Sequence, residues 1–240
     1  MKVLIIIPAY NEEESIASVL EEVKSVCAEH PGWDVLVVND CSRDSTPEIL
    51  RSLGVPHLNL PCNLGIGGCV QAGYRYAREN GYEVALQFDA DGQHIAEYIP
   101  AMIRPFEEGR AEFVIGSRVL MGSGYRSTAL RRAGGRFLSA LLHLLSGVRV
   151  LDVTSGMRAI GRPLIEIFAL GDYSQDYPEA ESILYTGVRG MRVVEVPVEM
   201  RERQYGSSSI GAFSSVYFML KVSLSLLLLR TSLRRDRHAQ

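Results

Sequence analysis

The stretch VALQFDADGQH, residues 84–94, sets the fold and points to the chemistry. Val84–Phe88 is a short apolar run with strand character, and it stops abruptly at Asp89-Ala90-Asp91. Residues i and i+2 of an extended chain project to the same side, so the two carboxylates are presented together. Such a pair can share a hard divalent cation, Mg2+ or Mn2+, with phosphate oxygens and water. Gln93 offers a neutral oxygen beside them. A cation there would act as a Lewis acid on a departing diphosphate. By itself Asp-x-Asp is a weak signal and more often marks a solvated loop with incidental acids. The apolar strand before it and the pattern around it give the pair its weight.

Upstream, strands and helices alternate. Val3–Ile7 is a continuous β-branched and leucine run, as expected for a strand buried on both faces. Asn11–Glu14 reads as a helix opening, with acids in its first turn. Val35–Val38 is a second strand ending in Asn39-Asp40, and a helix follows from Ser45 or Thr46 with Pro47 in its first turn. His57–Leu60 is a third strand, Asn63–Gly68 a glycine-rich turn feeding a helix over Val70–Glu79, and Phe113–Ile115 a fifth strand after Val84–Phe88. This order predicts a mostly parallel sheet covered by helices. Ligands of such sheets bind at the carboxyl ends of the strands. Pro8–Glu12, Asn39–Asp44, Asn63–Gly68 and Asp89–His94 all follow strands and should converge on one cleft.

Several residues carry two readings. Asp40 either bonds a nucleobase or ribose or caps a helix, and Asp44 is the stronger cap for the helix starting at Ser45–Pro47. Gly65, Gly67 and Gly68 allow close backbone approach but do not form G-x-G-x-x-G, and there is no Walker lysine. Asp152 and Arg158 either organise the site or form a structural ion pair.

The 240 residues suffice for one generous α/β domain, and a net charge of −3 gives no electrostatic case for nucleic acid. Cys27, Cys41, Cys62 and Cys69 show no C-x-x-C spacing, which fits reduced thiols in the cytoplasm. The N-terminal apolar run is too short for a signal-peptide core.

Taken in order, PAYNEEESI, VVNDCSRDST, NLGIGGCVQAGY, FDADGQH, GSR, DVTSGMRAI and RERQYGSSSI resemble family 2 glycosyltransferases from residue 3 to about residue 211. The resemblance is to the branch holding dolichyl-phosphate mannose synthases and bacterial polyprenyl-phosphate glycosyltransferases. It implies a GT-A fold, a catalytic domain over 1–211, and inverting transfer from a nucleoside-diphospho-sugar. By the same likeness Pro8, Tyr10, Glu12, Val38 and Asp40 hold the nucleotide. Asp89, Ala90 and Asp91 meet the diphosphate and metal, with Gln93 a further ligand. Arg118 is a phosphate arginine, and Arg203 closes over the diphosphate. Six residues after Arg203, mannose synthases carry lysine where this chain has Ser209, which weakens a reading of GDP-mannose as donor.

A lipid-phosphate acceptor is already anionic and needs positioning more than a general base. Arg131, Arg132 and Arg136, on a helix expected over Ala129–Gly147, could pair with it through their guanidinium groups, or form an ordinary basic face. A hydroxyl acceptor, such as a growing polysaccharide, would instead need a base, for which Asp176, Glu179 and Glu181 are candidates. A non-catalytic nucleotide-sugar-binding subunit and a sugar nucleotidyltransferase are the remaining readings.

Residues 212–240 read as a membrane-associating tail. Ala212–Leu229 holds ten Leu, Val and Phe residues, worth roughly −3 to −6 kcal/mol on insertion, against roughly 2.5–3.5 kcal/mol for Lys221. Four serines reduce the gain further, so spanning is marginal. Arg230, Arg234, Arg235 and Arg237 follow. A helix lying on the cytoplasmic face of the membrane, attracted to anionic headgroups, suits both features. Packing on the domain, on a membrane partner protein or on a second copy are the alternatives.

Overall fold

The structure is a computed structural model that describes residues 1–121, 129–171, 173–175, 178–201 and 212–238; the side chains of 129–131, 212–216, 218 and 234–238 are outside the description. Among the described residues a seven-stranded sheet carries the order β3-β2-β1-β4-β6-β5-β7. The strands are β1 (Val3–Ala9), β2 (Trp33–Asn39), β3 (His57–Asn59), β4 (Val84–Gln87), β5 (Phe113–Ser117), β6 (Arg158–Gly161) and β7 (Val193–Pro197). β6 alone runs antiparallel, between β4 and β5. The expected mostly parallel sheet with its helical cover is therefore present.

The buried runs explain the order. Val3 to Ile7 are all fully buried, and period-2 alternation sends them to two cores. Leu4 and Ile6 face helices α3 (Gly65–Glu79), α5 (Ala129–Ser146), α6 (Arg162–Leu170) and α7 (Pro178–Val188). Val3, Ile5 and Ile7 face α1 (Ile16–Ala28), α2 (Thr46–Ser52) and α4 (Ile99–Glu107). Each such aliphatic side chain contributes about 1.5–3 kcal/mol on burial. Close fit on the first face depends on Gly73 of α3, where a Cβ would lie 2.5 Å from Ile6 Cγ2.

Two helix starts differ from expectation. α1 begins at Ile16, not at Asn11, because Asn11 takes a left-handed backbone (φ 56°) and bonds the neighbouring loop instead. α3 begins at Gly65, so the glycines lie inside its first turn. Gly67 is required there: its N–H donates to Gln175 O at 3.3 Å, and a Cβ would lie 2.1 Å from Ser174 O. The glycine-rich turn thus seats a segment of the protein itself. α8 (Ala212–His238) buries Val222, Leu226 and Leu233 in the same core as Leu138 and Leu142 of α5 and Ile183 and Leu184 of α7. No helix among the described residues is long and apolar enough to cross a membrane.

Candidate functional site

The carboxyl ends of β1, β2, β3, β4, β5 and β7 and the amino end of β6 share one edge of the sheet, which follows from their parallel and antiparallel registers. The polar segments foreseen as convergent meet there. The loops after β1 and β2 are stitched together. Asn11 N–H donates to Ser42 Oγ (3.0 Å) and Asn11 Oδ1 accepts from Arg43 N–H (2.8 Å). Glu12 N–H donates to Thr46 Oγ1 (2.9 Å), Glu13 N–H to Asp44 Oδ2 (3.1 Å), and Ser45 N–H to Glu13 Oε2 (2.8 Å). Asp44 also accepts from Thr46 N–H at 3.0 Å, the capping role read from sequence. Burial pushes its carboxyl up, but hydrogen bonds from Thr46 and Glu13 outweigh this and hold it below the usual carboxylate value.

Asp40 is buried, and its two oxygens accept from Leu64 N–H (2.7 Å) and Gly65 N–H (2.9 Å). It caps α3 rather than the helix that follows it in sequence, placing its charge at the positive end of the helix dipole. Of the other nucleotide-side residues, Tyr10 is exposed, and Glu12 accepts from Ser15 Oγ at 2.8 Å. Pro8 is buried within β1, while Val38 and Ala90 turn their side chains into the two cores.

Asp89 and Asp91 flank the turn after β4. Asp89 Oδ1 accepts from Gln87 Nε2 (2.9 Å), and its Oδ2 rests against Gly156, where a Cβ would lie 2.2 Å away. Asp91 Oδ1 accepts from Gln93 N–H at 3.0 Å. Gln93 Nε2 donates to Arg201 O (3.4 Å), and Arg201 N–H donates to Gln93 O (2.8 Å). This ties the turn to the strand end that leads into residues 202–211. No group of three or more metal-binding His, Cys, Asp or Glu side chains occurs among the described residues. Two carboxylates fit a hard cation that takes its remaining ligands from a phosphorylated substrate and water. Arg203 and Asp176 lie outside the described residues, as does the side chain of Arg131.

Arg118 follows β5 and forms a fork with Asp152, Nε to Oδ2 at 2.7 Å and Nη2 to Oδ1 at 2.6 Å. Nη2 also reaches Thr154 Oγ1. Glu195 of β7 accepts from the N–H groups of Leu151 (2.8 Å) and Asp152 (2.9 Å), fixing the loop that carries Asp152. Asp152 is therefore paired with Arg118 and not with Arg158. Arg158 is buried and donates to the carbonyls of Val153, Ser155 and Glu179 and to Ser182 Oγ. Burial lowers its pKa, with Glu179 opposing the shift. Burial likewise raises Glu179, against the pull of Arg158. Sequence reasoning missed β6 and α7, and with them the hub role of Arg158. The short RAIG run carries too few residues to show a period.

Arg132 and Arg136 project from the exposed side of α5. Beside them lie exposed Phe137 and Leu144, the latter 81% accessible. On α8, Tyr217, Leu220, Leu224, Leu227 and Leu228 are exposed. Their spacing puts them on one helix face, opposite the buried Val222–Leu226–Leu233 stripe.

Comparison with known proteins agrees with this geometry. The Glycosyl transferase family 2 profile matches residues 4–176, and the chain belongs to that family. It is 28% identical over 95% of its length, and 96% of the relative, to the UDP-N-acetylglucosamine–dolichyl-phosphate N-acetylglucosaminyltransferase of Methanococcus voltae. It is 32% identical to the undecaprenyl-phosphate mannosyltransferase of Micrococcus luteus, covering 88% of each chain. The fold resembles glucosyl-3-phosphoglycerate synthase from Mycobacterium tuberculosis in complex with Mn2+, UDP and phosphoglyceric acid. There the TM-score is 0.71 at 19% identity, over 95% of this chain and 78% of that one.

Proposed function

We propose that this protein is an inverting, metal-dependent glycosyltransferase that moves a sugar from a nucleoside-diphospho-sugar to a polyprenyl phosphate at the cytoplasmic face of a membrane. The observation that carries the reading is the near end-to-end similarity to transferases named for dolichyl and undecaprenyl phosphate. The described geometry supports it. In this reading the loops after β1 and β2 take the nucleotide, and Asp89 and Asp91, with Gln93, meet the diphosphate. Mg2+ or Mn2+ held there would supply Lewis-acid stabilisation of the leaving diphosphate.

The reaction needs little from a protein base. A phosphate oxygen of the lipid bonds the anomeric carbon as the bond from that carbon to the diphosphate oxygen breaks, and the nucleoside diphosphate leaves. The attacking oxygen is already anionic at neutral pH. The protein's part is alignment, and correctly aligned reactants gain most of what such a site can offer. Arg132 and Arg136, with Arg131 on the same helix and with Arg203, supply positive charge for the acceptor phosphate and the departing diphosphate. Arg118, held by Asp152, completes the phosphate side.

The exposed apolar faces of α5 and α8 serve as the membrane contact. Exposed leucines beside arginines suit a helix pair lying at the headgroup boundary, where apolar side chains enter the acyl layer and cations meet phosphate. No spanning segment is needed for this attachment.

The test combines purified full-length protein, Mg2+ or Mn2+, radiolabelled nucleotide sugars and undecaprenyl phosphate in detergent, followed by solvent extraction. Label should enter the organic phase for one donor and vanish with EDTA. Label confined to water-soluble or polysaccharide product would overturn the lipid acceptor. Release of pyrophosphate in a separate reaction supplied with a nucleoside triphosphate and a sugar 1-phosphate would point to nucleotidyl transfer instead.

A further inference from the structure

We infer that His94 is a positioning residue for Asp89, a role that rests on the reading of Asp89 and Asp91 as the diphosphate-side carboxylates. The turn FDADGQH folds back at Gly92 (φ 73°), which brings His94 beneath the residue five positions earlier. His94 is only 3% exposed, with its ring edge-on to Phe88 at 5.2 Å and 80°. Packing alone would be served better by a phenylalanine or leucine, because a buried imidazole must find partners for two nitrogens.

Both nitrogens face Asp89. Nδ1 accepts the Asp89 backbone N–H at 3.1 Å. A neutral imidazole that accepts at Nδ1 carries its hydrogen on Nε2. Nε2 lies 3.7 Å from Asp89 Oδ2, beyond hydrogen-bond length but close enough for the N–H dipole to favour the carboxylate on that side. The same carboxylate is held on Oδ1 by Gln87 Nε2 and backed at Oδ2 by the bare Cα of Gly156. Gln87 comes from β4, His94 from the turn, and Gly156 from the loop before β6. Together they box Asp89 from three directions. His94 also pairs in a β-bridge with Met200, joining the turn to the segment that leads into residues 202–211.

The consequence is preorganisation. Without an acceptor at Nδ1, the part-buried Asp89 N–H loses its partner, and the turn must shift to find another. Asp89 then meets the donor's phosphate and its cation from a displaced position. Loss of partners that orient a metal-site ligand commonly weakens metal affinity about tenfold to a hundredfold.

The experiment is a double-mutant cycle read by binding. Full-length wild type, His94→Phe, Asp89→Asn and the double variant are titrated with Mn2+ in the presence of UDP, and free Mn2+ is followed by electron paramagnetic resonance. Thermal midpoints are measured on the same samples. His94→Phe should weaken Mn2+–UDP binding about tenfold and add nothing once Asp89 is Asn. His94→Asn, which keeps an acceptor near the Nδ1 position, should recover part of the loss and guards against a Phe variant that folds poorly. Unchanged affinity in both His94 variants would overturn the inference. So would an equal fold-loss in the Asp89→Asn background, the mark of a merely structural residue. Wild type is also titrated with the other common nucleoside diphosphates in place of UDP, and a wild-type chain that binds Mn2+ with none of them would overturn the donor-site reading as well, so the two failures are distinguishable.

Discussion

The edge of the sheet where the loops after β1, β2 and β4 meet, and the helix pair α5–α8, are built on opposite plans. At the first, nearly every polar group named above is committed to another part of the same chain. Asn11, Glu13 and Asp44 lock two loops, Asp40 caps α3, and Gln87 holds Asp89. At the second, large apolar side chains stand in the open, with Leu144 at 81% and Leu220 at 67% exposure. A surface for a small, charged ligand gains from being fixed beforehand, since ordering costs are then met on folding. A surface for an apolar layer needs only area and the right side chains. On the proposal that the first takes the donor and the second meets the membrane, the difference predicts that the two can be broken independently.

The largest expected effect lies on the fixed side. Asp91→Asn keeps the size of the side chain and removes its charge, so transfer should fall about a hundredfold to a thousandfold with the thermal midpoint unchanged. Rates with saturating donor and metal check this. Turnover near wild type would separate the turn from the chemistry.

On the other side, changing Leu220, Leu224 and Leu228 together to Ser should lower sedimentation with anionic vesicles, on the order of a hundredfold. A leucine fully buried in lipid is worth about 1.5–3 kcal/mol, and three that enter the acyl layer only part-way, at about 1 kcal/mol each, give that factor. These residues are exposed, so soluble transfer to a short-chain acceptor should persist. A parallel loss of both would show that the two surfaces are one unit.

A smaller effect is expected where the fixed side is packed against itself. Gly67→Ala sets a Cβ into backbone at Ser174, and should destabilise by about 1–3 kcal/mol. That corresponds to several degrees of thermal midpoint for a domain of this size. The smallest effect concerns Asp44. Asp44→Ala should cost about 1 kcal/mol at neutral pH. Its folded pKa is depressed, so the carboxylate's contribution is fully present above the unfolded value, about 3.9. It is lost as pH falls through the folded value. Wild type and variant should therefore converge in urea titrations as the medium is acidified.

What could be read in advance followed the same division. β1 and β4 announce themselves because fully buried parallel strands are continuous apolar runs, and the residues just after them must then share an edge. The position of Asp40 just after β2 puts it at the carboxyl edge of the sheet, but its partners are not legible in the sequence. Leu64 and Gly65 lie more than twenty residues on, and only the β2–β3 pairing brings them near. Asp152 illustrates the same limit, since its partner Arg118 and its holder Glu195 come from β5 and β7, which the sequence does not show to be neighbours. The glycines after Asn63 signal close backbone approach, and at Gly67 what approaches is the chain's own 174–175 segment. In α8 the apolar composition hid two faces, one for the core and one left bare, because both are rich in leucine.

The most direct test of the central claim is mass spectrometry of the reaction product, with nucleoside diphosphate release measured in the same vessel. The account predicts a polyprenyl-phosphoryl sugar formed in equal amount to the nucleoside diphosphate, and neither formed when polyprenol without its phosphate is supplied. Nucleoside diphosphate released without any sugar on the lipid phosphate would contradict it.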